Sequence, residues 1–196
     1  MSAQPFLLYL HGFLSSPQSK KALQTIAYCE QIGLEDRICV PQMRCGPAET
    51  ITELRKIVEA HKDQSVMLMG SSLGGYYATY LANEYGLPAA LINPAVRPFE
   101  SWETHLGEHR NYYSDEIHVV TRAHIGELRE LDIPVLAVPQ NFLVFLQAGD
   151  EILDYRQARD KFSSATCIVR PDGSHSYENF TSELPAIFNF LLSRIG

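Results

Sequence analysis

No apolar run in the chain approaches the roughly 20 residues that a membrane-spanning helix needs, so a helical membrane protein is not expected. Blocks of positive charge are missing as well. No basic cluster exceeds two residues, as at Lys20-Lys21, and the net charge is -7. A surface of that sign repels phosphate backbones and anionic lipid headgroups, so neither nucleic acid nor membrane is expected as a main partner. Cys29, Cys39, Cys45 and Cys167 form no C-x-x-C pair and sit in helix-like or strand-like surroundings, which suits reduced thiols better than a disulfide framework. The start, Met1-Ser2-Ala3-Gln4-Pro5, lacks the positive charge, long apolar core and cleavage site of a signal peptide. With the cysteines, this makes the cytoplasm the expected location. There is no internal repeat, low-complexity tract or linker, and 196 residues suit one domain over 1–196.

What is there is an alternation of strand-like and helix-like segments. Phe6 to Leu10 is a short apolar run before His11-Gly12, as in a buried parallel strand. A helix is predicted over 20–31, a short strand over 38–41 and a second helix over 48–61, where Ile51, Leu54, Val58 and His61 share a face. Further strands are predicted over 66–69, 89–93, 142–147 and 166–170. Helices follow over 73–85, 155–162 and 183–195. Alternation of this kind implies an α/β fold, a mostly parallel sheet with helices on both faces. Ligands then bind outside the carboxyl ends of the strands. Residues 94–131 break the pattern. They hold two early prolines, the only tryptophan, Trp102, and four of the seven histidines. They read as one or two short helices forming a small cap insertion.

The segment Val66 to Gly75 carries the chemistry. An apolar strand ends in Gly70-Ser71-Ser72-Leu73-Gly74, which fits G-x-S-x-G, and a helix follows at once. A nucleophile elbow makes that sharp strand-to-helix turn and holds a serine hydroxyl at its tip. Ser72 has the required spacing and Ser71 does not. A plain turn, or a phosphate cradle at a helix start, is the competing reading. No Lys follows in P-loop order, and G-x-G-x-x-G is not met.

A serine needs a base within hydrogen-bond reach and a third group to orient that base. His175, in the polar loop Gly173-Ser174-His175-Ser176, is the candidate base. His61 completes an apolar helix face. His105, His109, His118 and His124 belong to the insertion, where a surface role is the default. His105 and His109 have the i, i+4 spacing of two metal ligands, but H-E-x-x-H is absent. Asp150, just after the strand 142–147, is the candidate orienting acid, in competition with Glu151 and Asp154; Asp172 is too close in sequence to His175 to come from a separate strand end. Asp154 could instead cap the helix near Tyr155. The order Ser72, Asp150, His175 is that of the α/β-hydrolase triad. For the oxyanion, the backbone N–H of Leu73 and that of Phe13 are the candidate donors. Phe13, Tyr76, Phe99, Trp102 and Phe142 could line an acyl pocket or belong to the core.

With these residues in place the chain resembles the α/β-hydrolase superfamily throughout, and more specifically the small bacterial YqiA-like esterases. The likeness runs through Tyr9-Leu10-His11-Gly12-Phe13 with Ser15-Ser16-Pro17 and Ser19-Lys20, the elbow Gly70 to Ala78, Leu91-Ile92-Asn93-Pro94-Ala95, Gln147-Ala148-Gly149-Asp150-Glu151 with Leu153-Asp154-Tyr155, and Gly173-Ser174-His175. It implies a compact hydrolase that begins at a strand usually third in larger relatives, with carboxylic esters as the first substrate class and acyl-CoA thioesters as the second. Pro139-Gln140-Asn141, just before the acid's strand, departs from the pattern. The expected activity is cleavage of a small acyl ester or thioester through an acyl-enzyme on Ser72, with no cofactor and no metal required. A non-catalytic binding protein on the same scaffold, and an acyltransferase, are the alternatives.

Overall fold

The computed structural model describes residues 4–195. Eight strands and six α-helices alternate along it: β1 (Pro5–Leu10), α1 (Lys20–Gln31), β2 (Ile38–Cys39), α2 (Pro47–Ala60), β3 (Ser65–Ser71), α3 (Leu73–Tyr85), β4 (Ala89–Ile92), β5 (Gly107–Arg110), β6 (Ile117–Val120), α4 (Arg122–Glu130), β7 (Phe142–Gln147), α5 (Tyr155–Lys161), β8 (Thr166–Arg170) and α6 (Leu184–Ser193). Six strands form one sheet in the order β2-β1-β3-β4-β7-β8, every neighbouring pair parallel. This is the expected α/β-hydrolase fold. Pro139–Asn141 forms a single 3-10 turn, and β7 begins cleanly at Phe142.

The period of two along each strand sorts its side chains onto two faces. Leu8, Leu10, Leu68, Leu91, Val144 and Leu146 face α2, α3 and α5. Leu7, Tyr9, Met67, Met69, Ile92 and Phe145 face α1 and α6. Both faces are covered, which is why these strands read as unbroken apolar runs. His61 stacks on Phe6 at 3.7 Å between ring centroids, in the structural role its helical spacing implies.

The strand order fixes where a site can form. From β1 the chain moves outward to β2, then returns to place β3 on the other side of β1. That reversal opens a crevice beyond the carboxyl ends of β1 and β3. Leu10 pairs with Gly70 and Ser71 with Ile92, so those ends lie level along one rim.

The insertion differs from its sequence reading. Only α4 is an α-helix. Pro98–Glu100 and Trp102–His105 are 3-10 turns, and β5 and β6 make a two-stranded antiparallel ribbon. β5 reads Gly-Glu-His-Arg, largely exposed and without apolar alternation, so nothing in its composition marks a strand. His105 and His109 are therefore not on a common helix. The ribbon is tied to the loop after β1: the Tyr112 N–H donates to the Leu14 carbonyl at 2.9 Å, and Asn111 Nδ2 donates to the Ser15 carbonyl at 3.0 Å.

Candidate active site

Ser72 sits between β3 and α3 at φ 56° and ψ -123°. A side-chain-bearing residue held there costs roughly 1–3 kcal/mol and needs a surround that enforces it. The surround is backbone. The Ser72 N–H donates to the Ile92 carbonyl at 3.1 Å, and the Ser72 carbonyl accepts from the Ala95 and Gly75 N–H groups at 3.0 and 2.9 Å. Close approach explains the flanking glycines. A Cβ on Gly70 would run into the Gly74 carbonyl, and one on Gly74 into the carbonyls of Leu10 and His11. The turn can close only with both bare.

Three distant segments meet at Ser72. His175 Nε2 lies 3.0 Å from Ser72 Oγ. On the other side of the ring, His175 Nδ1 lies 2.8 and 3.0 Å from the two carboxylate oxygens of Asp150. Asp150 Oδ1 also accepts from the Leu153 and Ile152 N–H groups at 2.8 and 2.9 Å. Burial pushes the Asp150 carboxyl up, but the His175 imidazole and these N–H groups outweigh it and hold the carboxyl below its usual range. Asp150 therefore stays ionised at neutral pH.

The competing acids have other tasks. Asp154 caps α5, with Oδ1 accepting from the Arg156 N–H at 3.0 Å and from Arg156 Nε at 2.8 Å. Glu151 accepts from the His175 backbone N–H at 3.0 Å, so it grips the loop rather than the ring. On the far side, Gly12 brings the loop after β1 against the elbow: a Cβ there would lie 3.3 Å from Ser72 Cβ. That approach brings the loop that carries Phe13 against the elbow, and Phe13 lines the same cleft as Ser72. Leu73 opens α3, where a helix leaves its first N–H groups without internal acceptors.

Ser72 and His175 open into a cleft of about 890 Å³, within the usual range for small-molecule sites. Phe13 and Trp102 form an apolar wall with ring centroids 5.0 Å apart, backed by His105 and His109. Leu153 and Ile152 close the cleft near the acid. Three aromatic residues expected at the pocket do not line it. Tyr76 is buried in the core, where its hydroxyl donates to the Leu128 carbonyl at 2.7 Å. Phe99 is buried between the guanidiniums of Arg97 and Arg129. Phe142 opens β7 at the opposite rim of the sheet and packs on Phe162. Each is the large apolar side chain its own element buries.

Several residues that support the site were not singled out for that role from the sequence. Asn93, at φ 41°, accepts from the Gln147 N–H at 2.9 Å through Oδ1 and donates to the Ser174 carbonyl at 3.0 Å through Nδ2. Gln147 Oε1 accepts from the N–H groups of Ser174 and Glu178 at 3.0 and 2.8 Å. Together they lash the His175 loop to the ends of β4 and β7. A signal existed for Gln147: a glutamine closing the apolar strand Phe142 to Leu146 is a buried amide that must find partners. Asn93→Ala is expected to cost about 2 kcal/mol of unfolding free energy. It should also lower kcat more than it raises KM, because the histidine loop loosens. Denaturant melts and steady-state kinetics on one ester check both.

The profile of the uncharacterised protein family UPF0227 matches residues 6–192. A UPF0227 protein of Pasteurella multocida is 25% identical over 94% of this chain and 98% of its own length. The UPF0227 protein YcfP of Escherichia coli is 22% identical over 94% of this chain and 97% of its own. Among solved structures, alpha/beta hydrolase domain-containing protein 10 from mouse superposes with a TM-score of 0.78 at 15% identity, covering 100% of this chain and 93% of that one. Est1E from Butyrivibrio proteoclasticus, solved with ferulic acid bound, gives 0.70 at 15% identity over 98% and 90%. An esterase from Pyrococcus furiosus gives 0.66 at 13% over 100% and 84%. At those identities the likeness is one of fold.

Proposed function

We propose that this chain, which belongs to the UPF0227 family, is a serine hydrolase that cleaves carboxylic esters, and thioesters by the same route. The observation that carries the proposal is one imidazole bridging a hydroxyl and an ionised carboxylate, His175 between Ser72 and Asp150. Ser72 Oγ attacks the acyl carbon while His175 Nε2 takes its proton. Asp150 keeps the Nδ1 proton of the ring directed at itself, so that Nε2 presents a lone pair, and then stabilises the imidazolium that forms. The carbonyl oxygen takes up negative charge and accepts from the N–H groups of Leu73 and Phe13. The tetrahedral species collapses and expels the alcohol or thiol, which receives the proton held on His175. Water then attacks the acyl-enzyme, with His175 as base, and the free acid leaves.

The apolar wall of Phe13 and Trp102 suits the acyl half of such a substrate. Esterases among the fold relatives, one of them holding ferulic acid, accord with ester chemistry. The cysteine pattern and the acidic net charge favour a cytoplasmic enzyme acting on small molecules. Among the described residues no helix is long and apolar enough to cross a membrane. A serine-directed fluorophosphonate probe tests the proposal: labelling of wild type and not of Ser72→Ala is expected. Absence of label from both would instead favour a binding protein on this scaffold.

A further inference from the structure

Away from the apolar wall, the cleft has a polar end that hydrolysis alone does not require. Lys20 and Lys21 open α1, and that turn lines the cleft. The turn contains no acidic residue. Two ammonium groups there oppose the positive end of the helix dipole, so local helix stability does not account for them. Such a conflict between local preference and structure tends to mark function.

Lys21 reaches back toward the histidine loop. Its Nζ donates to the Ser176 carbonyl at 2.9 Å, which uses one of its three donors. The acid that acts on it is Asp150, whose carboxylate is already engaged by His175 and by two backbone N–H groups. Burial pulls the Lys21 ammonium down to about 8, against the opposing pull of Asp150. Tyr9 lies on the same side of the sheet, in one apolar cluster with Ala22 and Tyr177, the neighbours of Lys21 and Ser176. Tyr9 is 0% exposed and lines the cleft, and its hydroxyl has no hydrogen-bond partner among the described residues. Buried hydroxyls without partners are rare in folded proteins. An ammonium with spare donors and an unpartnered phenol share this end, and both want an acceptor with negative charge.

We propose that this end of the cleft binds an anionic oxygen group of the substrate, a carboxylate or a phosphate, with Lys21 and Tyr9 as its donors. The inference rests on the serine hydrolase reading above. Ser176 directly follows His175, and His175 returns its proton to the departing oxygen or sulfur. The anionic group therefore belongs to the alcohol or thiol half, while the apolar wall takes the acyl half.

The test uses butyryl esters in matched pairs: of glycolate against glycolamide, and of glycerol phosphate against glycerol, with acid release followed by titration. In wild type, at least one anionic ester should exceed its neutral partner by about ten-fold in kcat/KM, the scale of a charge-assisted hydrogen bond. The pair that shows the preference separates carboxylate from phosphate. In Lys21→Met the ratio should fall toward one, and in Tyr9→Phe it should fall part of the way. Wild-type ratios near one for both pairs would overturn the inference, even if neither variant folds. So would a ratio unchanged in Lys21→Met. Turnover of neutral esters without anion preference defeats this inference alone. No turnover of any ester, with no fluorophosphonate labelling, defeats the hydrolase reading beneath it.

Discussion

Ser72→Ala is expected to lower kcat/KM on a short nitrophenyl ester by about 10⁴-fold or more while the protein stays folded. The size follows from the geometry. Ser72 Oγ is the hydroxyl within 3.0 Å of His175 Nε2, and no acyl-enzyme can form without it. The rest of the elbow is held by backbone hydrogen bonds that alanine keeps. Alanine also inherits the strained φ of 56°, so the variant should not become more stable. Ser72→Gly gives the contrast: equally inactive, but more stable by about 1 kcal/mol because the strain is released. Residual activity of several per cent in Ser72→Ala would mean that the acyl group is carried elsewhere.

The second large effect separates two neighbouring carboxylates. Asp150→Asn should reduce kcat by about 10³- to 10⁴-fold, because an amide facing His175 Nδ1 favours the wrong tautomer. Asp154→Asn should stay within a few-fold of wild type, since asparagine caps a helix nearly as well as aspartate. The reverse ranking would move the acid to Asp154. The sign of the pH dependence follows from the lowered Asp150 carboxyl. A carboxyl depressed in the folded state adds stability that is fully present above its unfolded value of about 3.9 and is lost as pH falls through the folded value. The stability difference between wild type and Asp150→Asn should therefore shrink as pH falls from about 5 into more acid solution. Denaturant titrations at a series of pH values measure it.

The sheet and the meeting of Ser72, Asp150 and His175 were legible in the sequence because each is written in short-range pattern. The apolar runs at Phe6 to Leu10 and Phe142 to Gln147 are strands buried on both faces. The elbow spells out a steric requirement, since Gly70 and Gly74 face carbonyls that leave no room for a Cβ. Ser72, Asp150 and His175 each follow a strand, and a parallel sheet brings such positions to one rim. The pocket was not legible. Tyr76, Phe99 and Phe142 have the composition of a pocket wall and the placement of a core, and only the packing of α3 against α4 and the side of the sheet decide between them. Phe142 opens its strand, so the rule that ligands gather at carboxyl ends already argued against it. The β5–β6 ribbon was hidden for a different reason. It is held by pairing and by ties to the loop after β1, neither of which leaves an apolar period. Asn93 and Lys21 act through partners 81 and 155 residues away, which no local pattern records.

The proposed chemistry passes through a covalent intermediate at one hydroxyl, and intact-mass spectrometry of an acid-quenched reaction with a nitrophenyl ester tests it most directly. The expected result is a fraction of the protein heavier by one acyl group, with peptide mapping placing that group on Ser72 and none on Ser72→Ala. An acyl group mapped to any other residue, or rapid turnover in which no acylated protein can be trapped, would contradict it.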